Sequence, residues 1–300
     1  MFSKYFGHYL LNKDMITPEQ LADVLDFLDS VHIKLGVLAM NAGLLTSTQI
    51  KEIQLAQSKI DKKFGELAVE MGFLNAGQVE DLLATQEKGH LLLGQALLDK
   101  GYLSLEQLEA ALNEYVEEYN ISERGLRALE KGDIDGIVSI FVDFGDAPSK
   151  PIYTDYLSLL LRSVIRFIDD FPRLETYYVA KEFSAPWMIY QEIKGPINLF
   201  TGIAGDEKVF TELAGKFAQR SFTEFDALAQ SSISEFLNLH NGIFLVNMSN
   251  NGVELEMEPQ EIKEQPRLAD LEKGYVIPIY LSGSRFDLIL SQTPPVFLTS

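Results

Sequence analysis

SSISEFLNLHNG, residues 231–242, sets a carboxylate and a carboxamide into an otherwise apolar run. At about 100° per residue, Ser231, Glu235 and Asn238, at i, i+4 and i+7, fall within a stripe roughly 60° wide. The pattern predicts a helix over about 224–240, capped by Thr223 and given a stop signal by Asn241-Gly242. Phe225, Leu228, Ile233, Phe236, Leu237 and Leu239 are expected to cover the rest of its circumference. A helix this apolar must be packed over most of its surface, so its polar stripe is either a solvent edge or a site. With no nucleophile among the three, the stripe suits the handling of water or of a partner, not covalent catalysis.

Working outward, residues 192–219 (EIKGPINLFTGIAGDEKVFTELAGKFAQ) read as strand, turn, strand and helix. Residues 242–262 continue the central helix into a turn at Asn250-Asn251-Gly252 and then an alternating strand. Residues 274–290 read as a final alternating strand. This order around Ser231, Glu235 and Asn238 resembles the CheC/CheX family of chemotaxis response-regulator phosphatases, over about residues 152–296. The family's motif is Asp or Ser, three residues, Glu, two residues, Asn, then a Gly/Asn pair, whose order is reversed here. The resemblance implies that Asn238 enters a partner's site and orients the water attacking an aspartyl phosphate. It implies also that Glu235 pairs with the partner's Lys, and that Ser231 gives a supporting contact. Phosphoryl transfer asks for little more than positioning and charge stabilisation, and the Mg2+ would belong to the partner, with no cofactor of the chain's own. Two-site members carry a second Glu-x-x-Asn in an earlier helix. Here that helix is expected over 154–171 and has no such pair, so the resemblance implies one site per chain and, as in the CheX branch, a homodimer through this domain.

The first third repeats itself. Phe6-Gly7, Leu35-Gly36, Phe64-Gly65 and Leu93-Gly94 recur every 29 residues, too regularly for chance. Seven residues after each Gly comes Asp14, Gly43, Gly72 or Gly101, suited to a helix end with a left-handed residue. Thr17…Gln20, Thr46…Gln49, Asn75…Gln78 and Ser104…Gln107 follow at capping-box spacing. Leu21, Ile50, Val79 and Leu108 then open a second apolar stripe. Each unit reads as helix, turn, helix, with packing between neighbouring copies expected to bury the stripes. The spacing of residues 34–57 and 63–86 is similar to the MshE N-terminal domain of pilus and type II secretion ATPases, whose tandem motifs bind cyclic di-GMP. That resemblance marks Lys34, Gly36, Gln57, Lys63, Gly65 and Gln86 as nucleotide candidates. Lys34 and Lys63 stand where the family has Arg, which removes a planar fork suited to phosphates and bases. A structural or partner-binding array therefore stays beside the nucleotide reading.

Composition bounds the rest. With 44 acidic against 25 basic residues and a net charge of -19, general nucleic-acid binding and docking on anionic membranes are disfavoured. No cysteine is present, so disulfides, thiol nucleophiles and zinc-thiolate sites are excluded. No apolar stretch approaches 18 residues, and charges at Lys4, Lys13 and Asp14 interrupt the N-terminal segment; the expectation is a cytoplasmic protein. The fold class expected is an all-α helix-turn-helix array over 1–120, a helical bridge and linker over 121–151 and an α+β CheX-like domain over 152–300. Within the bridge, Ile134, Ile137, Val138, Phe141 and Phe144 lie at helical spacing, and 147–151 (APSKP) gives the linker signal. Asp133, Asp135, Asp143 and Asp146 lack calcium-loop spacing, and no metal site is expected. His8, His32, His90 and His240 are scattered, His240 reading as an ordinary helix-end residue. Trp187, Phe183 and Tyr190 read as core or a dimer face. Three functions stay open: a response-regulator phosphatase of a two-component system, regulated by its N-terminal domain; a non-catalytic adaptor of the same fold; and a cyclic di-GMP-responsive switch.

Overall fold

Four reciprocal capping boxes start the second helix of each N-terminal pair. Thr17 N donates to Gln20 Oε1 at 2.8 Å while Gln20 N donates to Thr17 Oγ1 at 3.2 Å. The same exchange joins Thr46 and Gln49, Asn75 and Gln78, and Ser104 and Gln107. Asp14, Gly43, Gly72 and Gly101 all have φ between +55° and +72°, a region that costs a β-carbon-bearing residue energy and glycine nothing. The turn before each box is thereby set by sequence, Asp14 being the copy that bears the strain.

The structure, a computed structural model, describes residues 1–31, 35–57, 59–86, 89–145, 149–175, 177, 179, 181–271 and 274–298, with backbone only at 29–31, 37, 40–41, 47, 84–86, 89–92 and 105. It divides into two units, Met1–Ile140 and Phe141–Ser300.

The first unit is helical: α1 (Phe2–Asn12), α2 (Pro18–Val31), α3 (Leu35–Asn41), α4 (Ser47–Gln57), α5 (Phe64–Glu70), α6 (Ala76–Gln86), α7 (Gly89–Asp99), α8 (Leu105–Glu118), α9 (Glu123–Lys131) and α10 (Ile134–Phe141), whose last residue belongs to the second unit. Within each pair the motif glycine lies where the two helices approach. A β-carbon on Gly7 would stand 2.7 Å from Leu21, on Gly36 3.4 Å from Ile50, on Gly65 2.8 Å from Val79 and on Gly94 3.2 Å from Leu108. Each partner is the first stripe residue, 14 positions on. Packing between pairs adjacent in sequence joins the second and third, where α3 packs on α5 and α6, and α4 on α5. The first pair departs from it: α1 packs on α7 and α8, and α2 on α7. It meets the fourth pair through the same set of helix contacts. The central pairs enclose their own core of Ala39, Leu45, Ile53, Leu67, Ala68, Leu74 and Leu82.

In the second unit α11 (Lys150–Phe167), α12 (Glu207–Ala218) and α13 (Ala227–Asn250) accompany β1 (Arg173–Leu174), β2 (Glu182–Ser184), β3 (Trp187–Lys194), β4 (Leu199–Gly205), β5 (Glu256–Met257), β6 (Glu261–Glu264), β7 (Arg267–Ala269), β8 (Gly274–Tyr280), β9 (Arg285–Ser291) and β10 (Val296–Phe297). The large antiparallel sheet runs β1-β8-β9-β4-β3-β5, with β6 also on β3; a small sheet runs β10-β7-β2. Met188 and Tyr190 of β3 join Phe183 and Leu268 of the small sheet in one core. The alternate residue Gln191 bonds to α13 instead. Both faces of the large sheet are thus covered, which is why β4 is buried over six consecutive residues and shows no polar alternation.

Several sequence expectations are corrected here. The single final strand is a hairpin, β8 and β9, because Leu281–Ser284 closes a turn with Leu281 N donating to Ser284 O at 2.8 Å. Lys150 and Pro151, read as linker, open α11; proline at a helix start loses no intrahelical bond. Ala147 and Pro148 lie outside the described residues. Phe144 is beyond α10 and buried against Tyr153, Tyr177 and Tyr275 in the second unit, so the apolar spacing that placed it on that helix came from a different core.

Candidate functional site

The helix carrying the polar stripe is longer than its sequence suggests. Asp226, not Thr223, caps α13, its Oδ1 accepting from Leu228 N at 3.1 Å and Ala229 N at 2.8 Å. Asn241-Gly242 does not stop it; the helix runs on to Asn250, and its cap is Asn251. The stop signal failed because the Asn241 side chain is committed to the core and because helix, not turn, satisfies the buried backbone there. Phe225 precedes the helix and packs on Trp187 and Phe210. Leu228, expected to be packed, is 49% exposed.

Ser231 and Glu235 are exposed and Asn238 is half-buried. Among the described residues, the Ser231 hydroxyl and the Glu235 carboxylate have no hydrogen-bond partner. Leu228, Ser231, Glu235, Leu239, Gly242 and Val246 succeed one another at steps of three and four, a single outward stripe along α13. Val246 is 52% exposed, and a β-carbon at Gly242 would meet nothing within 4 Å. The stripe is therefore polar at Ser231 and Glu235 and apolar on either side of them.

Asn238 differs from the other two in being held from behind. Its Oδ1 accepts from Gln191 Nε2 at 3.2 Å. The same Gln191 nitrogen donates to Glu258 O at 2.8 Å, while its Oε1 accepts from Asn241 Nδ2 at 2.8 Å. Asn241 Nδ2 reaches Thr201 Oγ1 at 3.1 Å, and Asn241 Oδ1 accepts from Tyr156 OH at 2.7 Å. Gln191 and Thr201 face each other across β3 and β4 in register, and Thr201 Oγ1 donates to Gln191 O at 3.1 Å. Gln191, Thr201, Asn241 and Tyr156 are at most 2% exposed. Sequence reading missed Gln191, Thr201 and Tyr156, and took Asn241 for a helix stop and for part of the motif's Gly/Asn pair. The usable signal was polar residues at Gln191 and Thr201 within strands whose neighbours are apolar, which demands buried partners.

His240 is wholly buried in mid-helix, correcting its reading as a helix-end residue. Its Nδ1 lies 3.3 Å from Ser163 Oγ and its ring meets Tyr156 edge-on at 4.6 Å. Burial, then the charge of Arg162, lowers its pKa to about 3, so the ring is neutral and cannot serve the surface as a base. Tyr156, fully buried, has its phenol pushed far up by desolvation and stays a donor. Among the described residues no group of His, Asp or Glu could hold a metal ion. A groove of about 900 Å³ lies along α12 and the 219–223 loop, lined by Lys208, Lys216, Arg220 and Phe222 among others; none of the three stripe residues lines it. The stripe thus offers an exposed carboxylate at Glu235 and a half-buried carboxamide at Asn238.

The nucleotide candidates are placed differently. Gly36 and Gly65 are buried in their helix crossings, and a β-carbon on Gly36 would stand 3.2 Å from Phe64. Gln57 Nε2 donates to Lys62 O at 3.0 Å. Lys63 precedes α5 and is exposed, its backbone N donating to Glu66 Oε2 at 2.9 Å. Gln86 ends α6 with its side chain outside the described residues, as is Lys34 altogether. Among the described residues no helix is long and apolar enough to cross a membrane.

No protein-family profile and no curated protein matches the chain. Solved structures do. The chemotaxis protein CheX of Desulfovibrio desulfuricans is 11% identical, covering 48% of this chain and 99% of its own, with a TM-score of 0.42. A putative chemotaxis protein of Desulfovibrio vulgaris Hildenborough is 11% identical over 49% of this chain and 97% of its own, with a TM-score of 0.40. The CheX–CheY–BeF3–Mg2+ complex of Borrelia burgdorferi matches at 12% identity over 45% and 94%, with a TM-score of 0.37. These three solved structures are matched over 45–49% of this chain and 94–99% of their own.

Proposed function

We propose that this chain accelerates dephosphorylation of an aspartyl-phosphorylated response regulator, acting through Asn238 and Glu235. The observation that carries the reading is the half-buried carboxamide held from behind by Gln191, beside a carboxylate exposed without a partner one turn earlier. A phosphoryl-transfer centre that brings its own Mg2+ and aspartyl phosphate lacks only an oriented water and a countercharge for its lysine. An amide can bind that water as donor and acceptor; Glu235 supplies the countercharge, and Ser231 a supporting contact. The apolar ends of the stripe, Leu228 and Val246, give a partner's helices something to bury.

Phosphorylated-regulator decay tests it. Asn238→Ala should return decay to the regulator's own rate, a loss of roughly 100-fold if the amide contributes as one transition-state donor does, with binding retained. Equal rates for the two proteins would sink catalysis by this residue. The exposed Leu228 and Val246 also favour a second reading, an adaptor that binds a regulator saturably without hastening decay; the same assay separates them. The four helix pairs are read as 29-residue repeats serving as a partner-binding or regulatory array, and dimerisation through the second unit belongs to the same reading. A cyclic di-GMP role for the array is supported by motif spacing alone, and calorimetry with that nucleotide is its test.

A further inference from the structure

The amides behind Asn238 have a polarity that the backbone dictates. Glu258 O can only accept, so the Gln191 end facing it must be the NH2 end. That places Gln191 Oε1 toward Asn241, whose NH2 end must face it, and Asn241 Oδ1 then takes the Tyr156 hydroxyl. The second Gln191 N–H leaves toward Asn238 and requires an oxygen there. Turning Gln191 over would set its one oxygen against both Glu258 O and Asn238 Oδ1, and its NH2 against Asn241 Nδ2. With Gln191 2% exposed and Asn241, Thr201 and Tyr156 wholly buried, no water is at hand to repair such a mismatch, and each unpaired group would bear its full desolvation.

We infer that Gln191 is a positioning residue for Asn238. Resting on the phosphatase reading, the inference deepens it. Gln191 fixes the Asn238 carboxamide with its oxygen inward and its NH2 outward, and Asn241, Thr201 and Tyr156 lock Gln191 in that sense. The group offered to the partner is then a pre-oriented donor, with one oxygen lone pair left for water, and no ordering of the side chain is needed on docking. Gln191 touches neither the partner nor the phosphoryl group.

The test uses the full chain carrying Gln191→Met, which keeps length and removes both polar ends. The Asn238 side-chain NH2 resonances should move toward free-amide positions. The decay rate at saturating regulator should fall about tenfold with the half-saturating concentration unchanged. In an Asn238→Ala background the same substitution should change nothing further. Unmoved Asn238 resonances, a loss that persists in that background, or a loss confined to half-saturation would overturn the inference. Should Gln191→Met fail to fold by its circular-dichroism melt, Tyr156→Phe, which deletes one hydroxyl at the far end of the chain of amides, should give the same pattern at about threefold; no shift there overturns it equally. If the wild type does not hasten decay yet the Asn238 resonances still move, the phosphatase reading fails and the positioning stands.

Discussion

His240 shows how a single buried side chain makes the site region sensitive to acid. Its pKa is lowered in the fold to about 3, against an ordinary value near 6.5 in the unfolded chain. Above about pH 6.5 neither state binds the proton and the full stability is present. As pH falls from there toward 3 the unfolded chain takes up a proton that the folded one refuses, so stability drops by roughly 1 kcal/mol per pH unit. Urea titrations between pH 7 and pH 4 should show this slope, and His240→Gln should flatten it; an unchanged slope would mean another group is responsible. At this same scale Ser231, Glu235 and Asn238 were legible from spacing alone, because a helix face follows from arithmetic. Their unequal settings were not, since nothing in the order of residues says that Gln191, 47 positions away, stands behind Asn238.

The elements repeat the lesson with glycines. Gly65 is legible as one of a series, yet its reason is a contact: a β-carbon there would stand 2.8 Å from Val79 and 3.4 Å from Leu35. Gly65→Ala gains helix propensity but overpacks the crossing. It should lower stability by about 1–2 kcal/mol net, read from urea unfolding of the helical signal, with Val79→Ala on top restoring part of the loss. A stabilised Gly65→Ala protein would show the crossing to be looser. The N-terminal turns and capping boxes could be read without structure because Thr, Asn, Ser and Gln act on backbone within three residues, whereas the cap of α13 is Asp226 and not the expected Thr223. The end of α13 could not: Asn241-Gly242 is a local stop signal overridden by Tyr156, Gln191 and Thr201, all remote in sequence.

For the whole molecule, the division between units falls at Ile140–Phe141, inside the stretch expected as a bridge. Phe144, 1% exposed, meets Tyr275 edge-on at 4.8 Å and Tyr153 at 5.3 Å, and Tyr275 OH donates to Phe144 O at 3.1 Å. Phe144→Ala should destabilise the second unit by about 3–5 kcal/mol. Trp187, the chain's one tryptophan, lies in that unit, so its fluorescence during urea unfolding reads the change; a shift below 1 kcal/mol would place Phe144 outside that core. By itself the sequence determined the four helix pairs with their caps and turns, the strand, turn, strand and helix order before α13, and the residues of the polar stripe. Each of these rests on periodicity or on bonds closed within a few residues. Tertiary structure alone decided that the first helix pair packs on the fourth, that the last strand is a hairpin, and which buried amides orient Asn238. Those depend on contacts between residues tens of positions apart, where packing and the pairing of buried polar groups outweigh local preference.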